Sequence, residues 1–217
     1  MGYTHYFGRI KNLNPEKFKL ASCDVGKVLA HLSELGLQLG DAFSEGEPEI
    51  TDEIVAFNGS VSCGHPQNSD VVIPWPAPGA GGVATTYDDQ AGGAIEGSWF
   101  AGASLSTRIC NGDCSYESFI VERDLEPEEW QTPDEKGRYF SFCKTAFRPY
   151  DLAVTAALII FKHTFGDDFQ VSSDGEDELW FDGRMACYTV LGYGMKYHLA
   201  EGERGEELKE VDHYVQQ

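Results

Sequence analysis

The sequence predicts an α+β fold, an antiparallel or mixed β-sheet packed by two main helices, within one domain spanning 1–217. Two long helical patterns stand among short runs of strand-like alternation. A Gly-, Pro- and Cys-containing stretch, 60–114, is too long for an ordinary connection and reads as an insertion.

The first element, Gly2 to Ile10, places Tyr3, His5 and Phe7 on one strand face and Thr4 and Tyr6 on the other. A helix follows. Asn14 suits the N-cap, Pro15 the first turn, and Leu13 and Phe18 have the spacing of a hydrophobic staple. Phe18, Ala21, Val25, Val28, Leu29, Leu32 and Leu35 keep a helical period, and Gly36 fits the position just past the end. Leu37 to Leu39 and Ile50 to Phe57 read as strands. Inside the insertion Val71 to Ile73 and Trp99 to Leu105 read likewise. Glu117 to Glu122 and Arg138 to Cys143 continue the pattern, with Phe140 and Phe142 sharing one face that reads as buried. Tyr150 to Phe165 is apolar in nearly every direction, which predicts a central helix closed by Gly166. Phe169 to Ser172 reads as a strand, and Gly183 to Leu191 fits helix or strand. Glu201 to Gln217 suggests a surface helix or a frayed tail.

Sixteen Lys and Arg against 36 Asp and Glu give a net charge of -20. Such a chain is a poor binder of nucleic acid or anionic membranes, because phosphate attraction needs clustered cations. The N-terminus lacks a basic and apolar leader, and the apolar run Leu152 to Phe161 is too short to span a bilayer. A soluble, cytoplasmic protein with reduced cysteines is the expectation.

Against that acidity, Lys144 and Arg148 stand at the start of the most apolar helix, with Thr145 between them. A helix N-terminus offers unsatisfied N–H groups and a positive dipole end, so the three residues could hold phosphate or carboxylate. Pairing with nearby carboxylates is the competing explanation. Tyr3, His5, Tyr6, Tyr150 and Trp180 could wall a pocket, with Asn58 and Asp174 giving directed hydrogen bonds, although each also suits a core or strand face. His5, Glu117, Asp151 and Asp174 are the acid–base candidates. No spacing pairs them, and no nucleophile elbow, phosphate loop, dinucleotide fingerprint or HExxH is present. A binder is therefore favoured over an enzyme.

The insertion holds Cys63-Gly64-His65 and Cys110-Asn111-Gly112-Asp113-Cys114. Together Cys63, His65, Cys110 and Cys114 could supply four ligands to a tetrahedral structural zinc, which would order a segment with little core of its own. Free thiols and a Cys110–Cys114 disulfide are the alternatives. Cys23 and Cys187, on core-like segments, read as small buried apolar residues.

MGYTHYF at the N-terminus, FNG at Phe57 to Gly59, ESF at Glu117 to Phe119, FCKTAFRPYD at Phe142 to Asp151 and SDG at Ser173 to Gly175 occur in this order. Together they resemble a family of small bacteriophage and prophage proteins, whose members usually carry Trp where this chain has Phe7 and whose shorter members lack the insertion. The resemblance implies context, a phage accessory protein in the bacterial cytoplasm, and no catalytic residues. In that context the aromatic and cationic residues suggest capture of a small anionic, nucleotide-like ligand that antagonises host immune signalling. An acidic interaction module or DNA mimic acting on a host protein, and a phosphodiesterase or other hydrolase of a nucleotide signal, are the other two readings.

Overall fold

In the computed structural model, which describes residues 3–76, 103–202 and 205–211, the predicted helix signals are met closely. Helix α1 (Pro15–Glu34) starts at Asn14, whose side chain accepts the Lys17 backbone N–H at 3.0 Å. At its other end Gly36 takes φ +99°, the Leu37 N–H reaches the Leu32 carbonyl, and the Gly36 N–H reaches that of Ser33. This is a Schellman closure, and Leu32 and Leu37 are both buried beside it.

Strand β1 (Thr4–Ile10) lies inside a five-stranded sheet between β8 (Arg138–Lys144) and β9 (Phe169–Ser173). The sheet continues through β11 (Gly205–Glu210) to β10 (Tyr197–Gly202), and every pairing in it is antiparallel. As far as Glu210 the C-terminal segment therefore contributes a strand pair where its charge suggested a helix or tail, and residues 212–217 lie outside the described ones. Alternation explains this: Leu199 and Leu208 are buried opposite one another while Glu201 and Glu206 face water.

A smaller sheet orders β2 (Leu39–Gly40), β4 (Ile54–Gly59) and β3 (Glu49–Ile50), with β7 (Phe119–Glu122) also on β4. The single strand expected over Ile50 to Phe57 is thus two strands. Thr51 makes the break, its hydroxyl accepting the N–H groups of Glu53 and Ile54. The insertion carries a hairpin, β5 (Gln67–Pro76) with β6 (Ala103–Asn111). The strand expected over Trp99 to Leu105 is met from Ala103 onward, and its first residues lie outside the described ones.

Helix α2 (Asp151–Phe165) is central as predicted, every residue from Asp151 to Phe161 being buried. It packs against α1, β9 and a third helix, α3 (Phe181–Leu191), which settles the ambiguous segment as helical. Gly183 allows that contact, since a Cβ there would lie 2.5 Å from the Thr155 hydroxyl. Phe7, Phe57, Phe119, Phe161 and Phe169 form the centre of the core. Phe161 and Phe169 stack at 5.2 Å, and each such ring contributes about 1.5–3 kcal/mol by leaving water. Among the described residues no helix is long and apolar enough to cross a membrane.

Candidate metal centre and neighbouring sites

Strand β4, the loop after it and the end of β6 bring Cys63, His65, Cys110 and Cys114 together, with one ligand atom from each within 4.8 Å of all the others. Cys110 Sγ lies 3.6 Å from both Cys63 Sγ and Cys114 Sγ, and His65 Nδ1 lies 3.3 Å from Cys114 Sγ. The arrangement could hold a metal ion. Burial and the neighbouring thiols push the Cys114 thiol up, and burial does the same to Cys110. Cys63 goes down in spite of its burial, through hydrogen bonds from the His65 backbone and from the two other thiols. One thiolate can form, and its charge then resists the next. A dication would remove that resistance.

The surrounding loop is tightly fixed. Asn58 receives the Tyr116 N–H on Oδ1 at 3.1 Å and donates from Nδ2 to the Tyr116 carbonyl at 3.0 Å. Gly59 must be glycine, because a Cβ there would lie 1.8 Å from the Cys114 carbonyl oxygen. Gly59→Ala should cost more than the ~1 kcal/mol typical of a single substitution, visible as a lower melting temperature, because the ligand loop has to move.

Arg148 serves the same loop, its Nη1 donating to the Asp113 carbonyl at 2.7 Å. Lys144 gives its backbone N–H to Glu117 Oε2 at 2.7 Å, and its ammonium stands 5.6 Å from the Tyr116 ring. Tyr150 is buried with its hydroxyl donating to the Glu117 carbonyl at 2.6 Å. Lys144, Arg148, Tyr150 and Asn58 thus all brace residues 113–118.

A second group surrounds His5, which is fully buried. Its Nε2 lies 2.8 Å from Asp151 Oδ1 and its Nδ1 lies 3.0 Å from Ser173 Oγ. The Thr145 hydroxyl donates to the same Asp151 oxygen at 2.6 Å. Tyr3 and Trp180 meet the imidazole edge-on at 4.9 and 5.1 Å. The Tyr3 ring occupies the space a Cβ on Gly175 would fill, which accounts for the glycine of Ser173-Asp174-Gly175. Arg108 of β6 completes the group, with Nη1 2.9 Å from Asp182 Oδ2 and Nε 3.8 Å from Asp151 Oδ2.

Tyr6 and Asp174 lie elsewhere, on the outer face of the main sheet, where the Tyr6 hydroxyl donates to Asp174 at 2.8 Å. The ten candidate ligand residues therefore occupy three places and do not wall one pocket. Phe140 and Phe142 also point outward, 60% and 52% exposed, which corrects their reading as a buried pair. β8 is the edge strand of this sheet, and alternation along it puts Phe140 and Phe142 on the face away from the buried Cys143. Cys23 is likewise exposed on α1, whereas Cys187 is buried.

That outer face forms a groove missed in the sequence. One cleft, of about 490 Å³, is lined by Tyr6, Phe140, Arg138, Gln170, Ser172 and Asp134 among others. A second, of about 460 Å³, shares Arg138 and Gln170 with it and adds Lys136, Lys162, His163 and Lys209. Tyr6 and Phe140 stack at 6.0 Å in the first. The second gathers four of the sixteen Lys and Arg with three carboxylates, Asp167, Glu207 and Glu210, and its Arg138 is paired with Asp134 at 2.8 Å. Lys162 is partly committed, capping α2 through the Gly166 carbonyl at 2.9 Å, and burial lowers its pKa. The cations come from a loop, a helix end and the last strand, so no sequence window brings them together.

No family model, curated protein or solved structure matches the chain.

Proposed function

We propose that this chain is a phage accessory protein of the bacterial cytoplasm that binds a small anionic, nucleotide-like ligand without transforming it, and so antagonises host immune signalling. The phage context rests on the resemblance carried by MGYTHYF, FCKTAFRPYD and the shorter motifs. The observation that carries the binding reading is the two-part groove joined at Arg138 and Gln170. Its aromatic half suits a planar base, and phosphate in the other half would meet Lys136 directly and would compete for Arg138 and Lys209 with their present partners, the Asp134 carboxylate at 2.8 Å and the Glu201 carbonyl at 2.7 Å. Both clefts have the volume of small-molecule sites. At the start of α2, Arg148 donates to the Asp113 carbonyl, and the Lys144 ammonium stands 5.6 Å from the Tyr116 ring.

Calorimetric titration with nucleotides, cyclic dinucleotides and ADP-ribose tests the reading. Phe140→Ala should weaken binding about 5- to 160-fold, the range for loss of one base–aromatic stack. Lys136→Ala with Lys209→Ala should weaken it further and flatten its salt dependence. Lys144→Ala with Arg148→Ala should leave the affinity of folded protein unchanged. Absence of binding, or binding abolished only by the last pair, would refute the groove. Recovery of cleaved ligand would favour the hydrolase.

Zinc is the ion proposed for the Cys63, His65, Cys110, Cys114 cluster, in a structural role. A tetrahedral zinc with sulfur ligands at 2.3 Å separates two sulfurs by about 3.8 Å. The 3.6 Å separations suit that geometry.

A further inference from the structure

Asp151 opens α2 and Asp182 lies in the first turn of α3, so two carboxylates stand at the positive ends of two helix dipoles. Both are fully buried. Between them sits the guanidinium of Arg108, itself buried, with its Cζ 4.3 Å from the Phe147 ring centroid. The chain bends hard to provide that ring. Ala146 and Phe147 both take left-handed backbone conformations, at φ +49° and +56°, which disfavour any residue with a Cβ. Asp151 Oδ1 is taken by His5 and Thr145, so Oδ2 is turned to Arg108 and has no hydrogen-bond partner. The buried Tyr3 hydroxyl beside it also lacks one.

Two carboxylates, an aromatic face and a neutral phenol match a planar cation, and a guanidinium fork more closely than an ammonium. We propose that Asp151, Asp182, Phe147 and Tyr3 form a guanidinium-binding site that the chain fills with its own Arg108, making the β5–β6 hairpin a latched element. The latch is set by the neighbouring cluster. Arg108 and Cys110 are two residues apart on β6, so they share one strand face, and both are buried against the body. This site is separate from the outer groove and does not depend on it.

Arg108→Ala tests the proposal in the full chain. The variant should melt several degrees below the parent, and millimolar methylguanidinium should restore most of the loss. Methylammonium should restore less, and the parent, whose site is filled, should gain nothing from either. Hydrogen exchange over 67–76 and 103–111 should quicken in the variant and slow again with methylguanidinium. Equal rescue of variant and parent, or no rescue of a folded variant, would overturn the proposal. If Arg108→Ala does not fold, Asp182→Asn keeps the shape and removes one charge. Exchange over 103–111 should then quicken in a folded chain, and unchanged exchange would overturn the latch.

Discussion

Stripping the Cys63, His65, Cys110, Cys114 centre with a strong chelator should release the β5–β6 hairpin while α1, α2 and the five-stranded sheet persist. On β5 and β6 Val71, Arg108 and Cys110 are buried. The cluster joins its base to the loop after β4, and structural zinc sites of this kind contribute about 10–16 kcal/mol of binding free energy in isolated peptides. Here part of that is offset by ordering the loops, yet the loss should remain the largest of any single perturbation. The sign of the pH dependence follows from the thiols. Burial raises Cys110 and Cys114 above the ordinary thiol value, and both must lose a proton to bind metal. Metal retention should therefore strengthen as pH rises and fail as it falls. Hydrogen exchange over 67–76 and 103–111, with and without chelator, reads the effect. Identical exchange would show that the metal does not hold the hairpin.

Asp151→Ala should be the most damaging substitution outside the metal ligands. It removes the partner of His5 Nε2, the acceptor of the Thr145 hydroxyl and one of the two carboxylates beside Arg108. Breaking a buried pair by deleting one member costs about 3–5 kcal/mol, because the remaining charge is stranded. At 2–4 °C per kcal/mol for a chain of this size, the melting temperature should drop by roughly 6–20 °C. Asp151→Asn keeps the volume and some hydrogen bonding, so its loss should be smaller. A thermal melt of the two variants checks the order. Equal and minor effects would mean that the buried network contributes little.

The elements most legible in the sequence were those whose signals are local. Asn14, Pro15 and Gly36 delimit α1 because capping chemistry acts within a single turn. The grouping of Cys63, His65, Cys110 and Cys114 was legible as a possible metal site, and all four residues do converge. Phe140 and Phe142 were misread because alternation tells which residues share a face and not which face is covered. Lys144 and Arg148 looked like an anion site because their sequence neighbourhood is a helix start. The loop at 113–118 that takes them up is distant in sequence. Arg108 could have been found two residues before Cys110 on an alternating strand. Its partners Asp151 and Asp182 become visible only when α2 and α3 pack together. The groove was the least legible feature, since Tyr6, Arg138, Lys162, Gln170 and Lys209 meet only through sheet order.

The central proposal is that the Cys63, His65, Cys110, Cys114 cluster, which could hold a metal ion, carries a structural zinc that fixes the insertion against the body. Metal content of protein purified without chelator, followed by the absorption spectrum after cobalt substitution, tests it most directly. One zinc per chain is predicted, with a cobalt form showing the intense bands of a tetrahedral site and a thiolate charge-transfer band, both lost in Cys110→Ser. A metal-free protein with its hairpin in place, or a weak octahedral cobalt spectrum indifferent to Cys110, would contradict it.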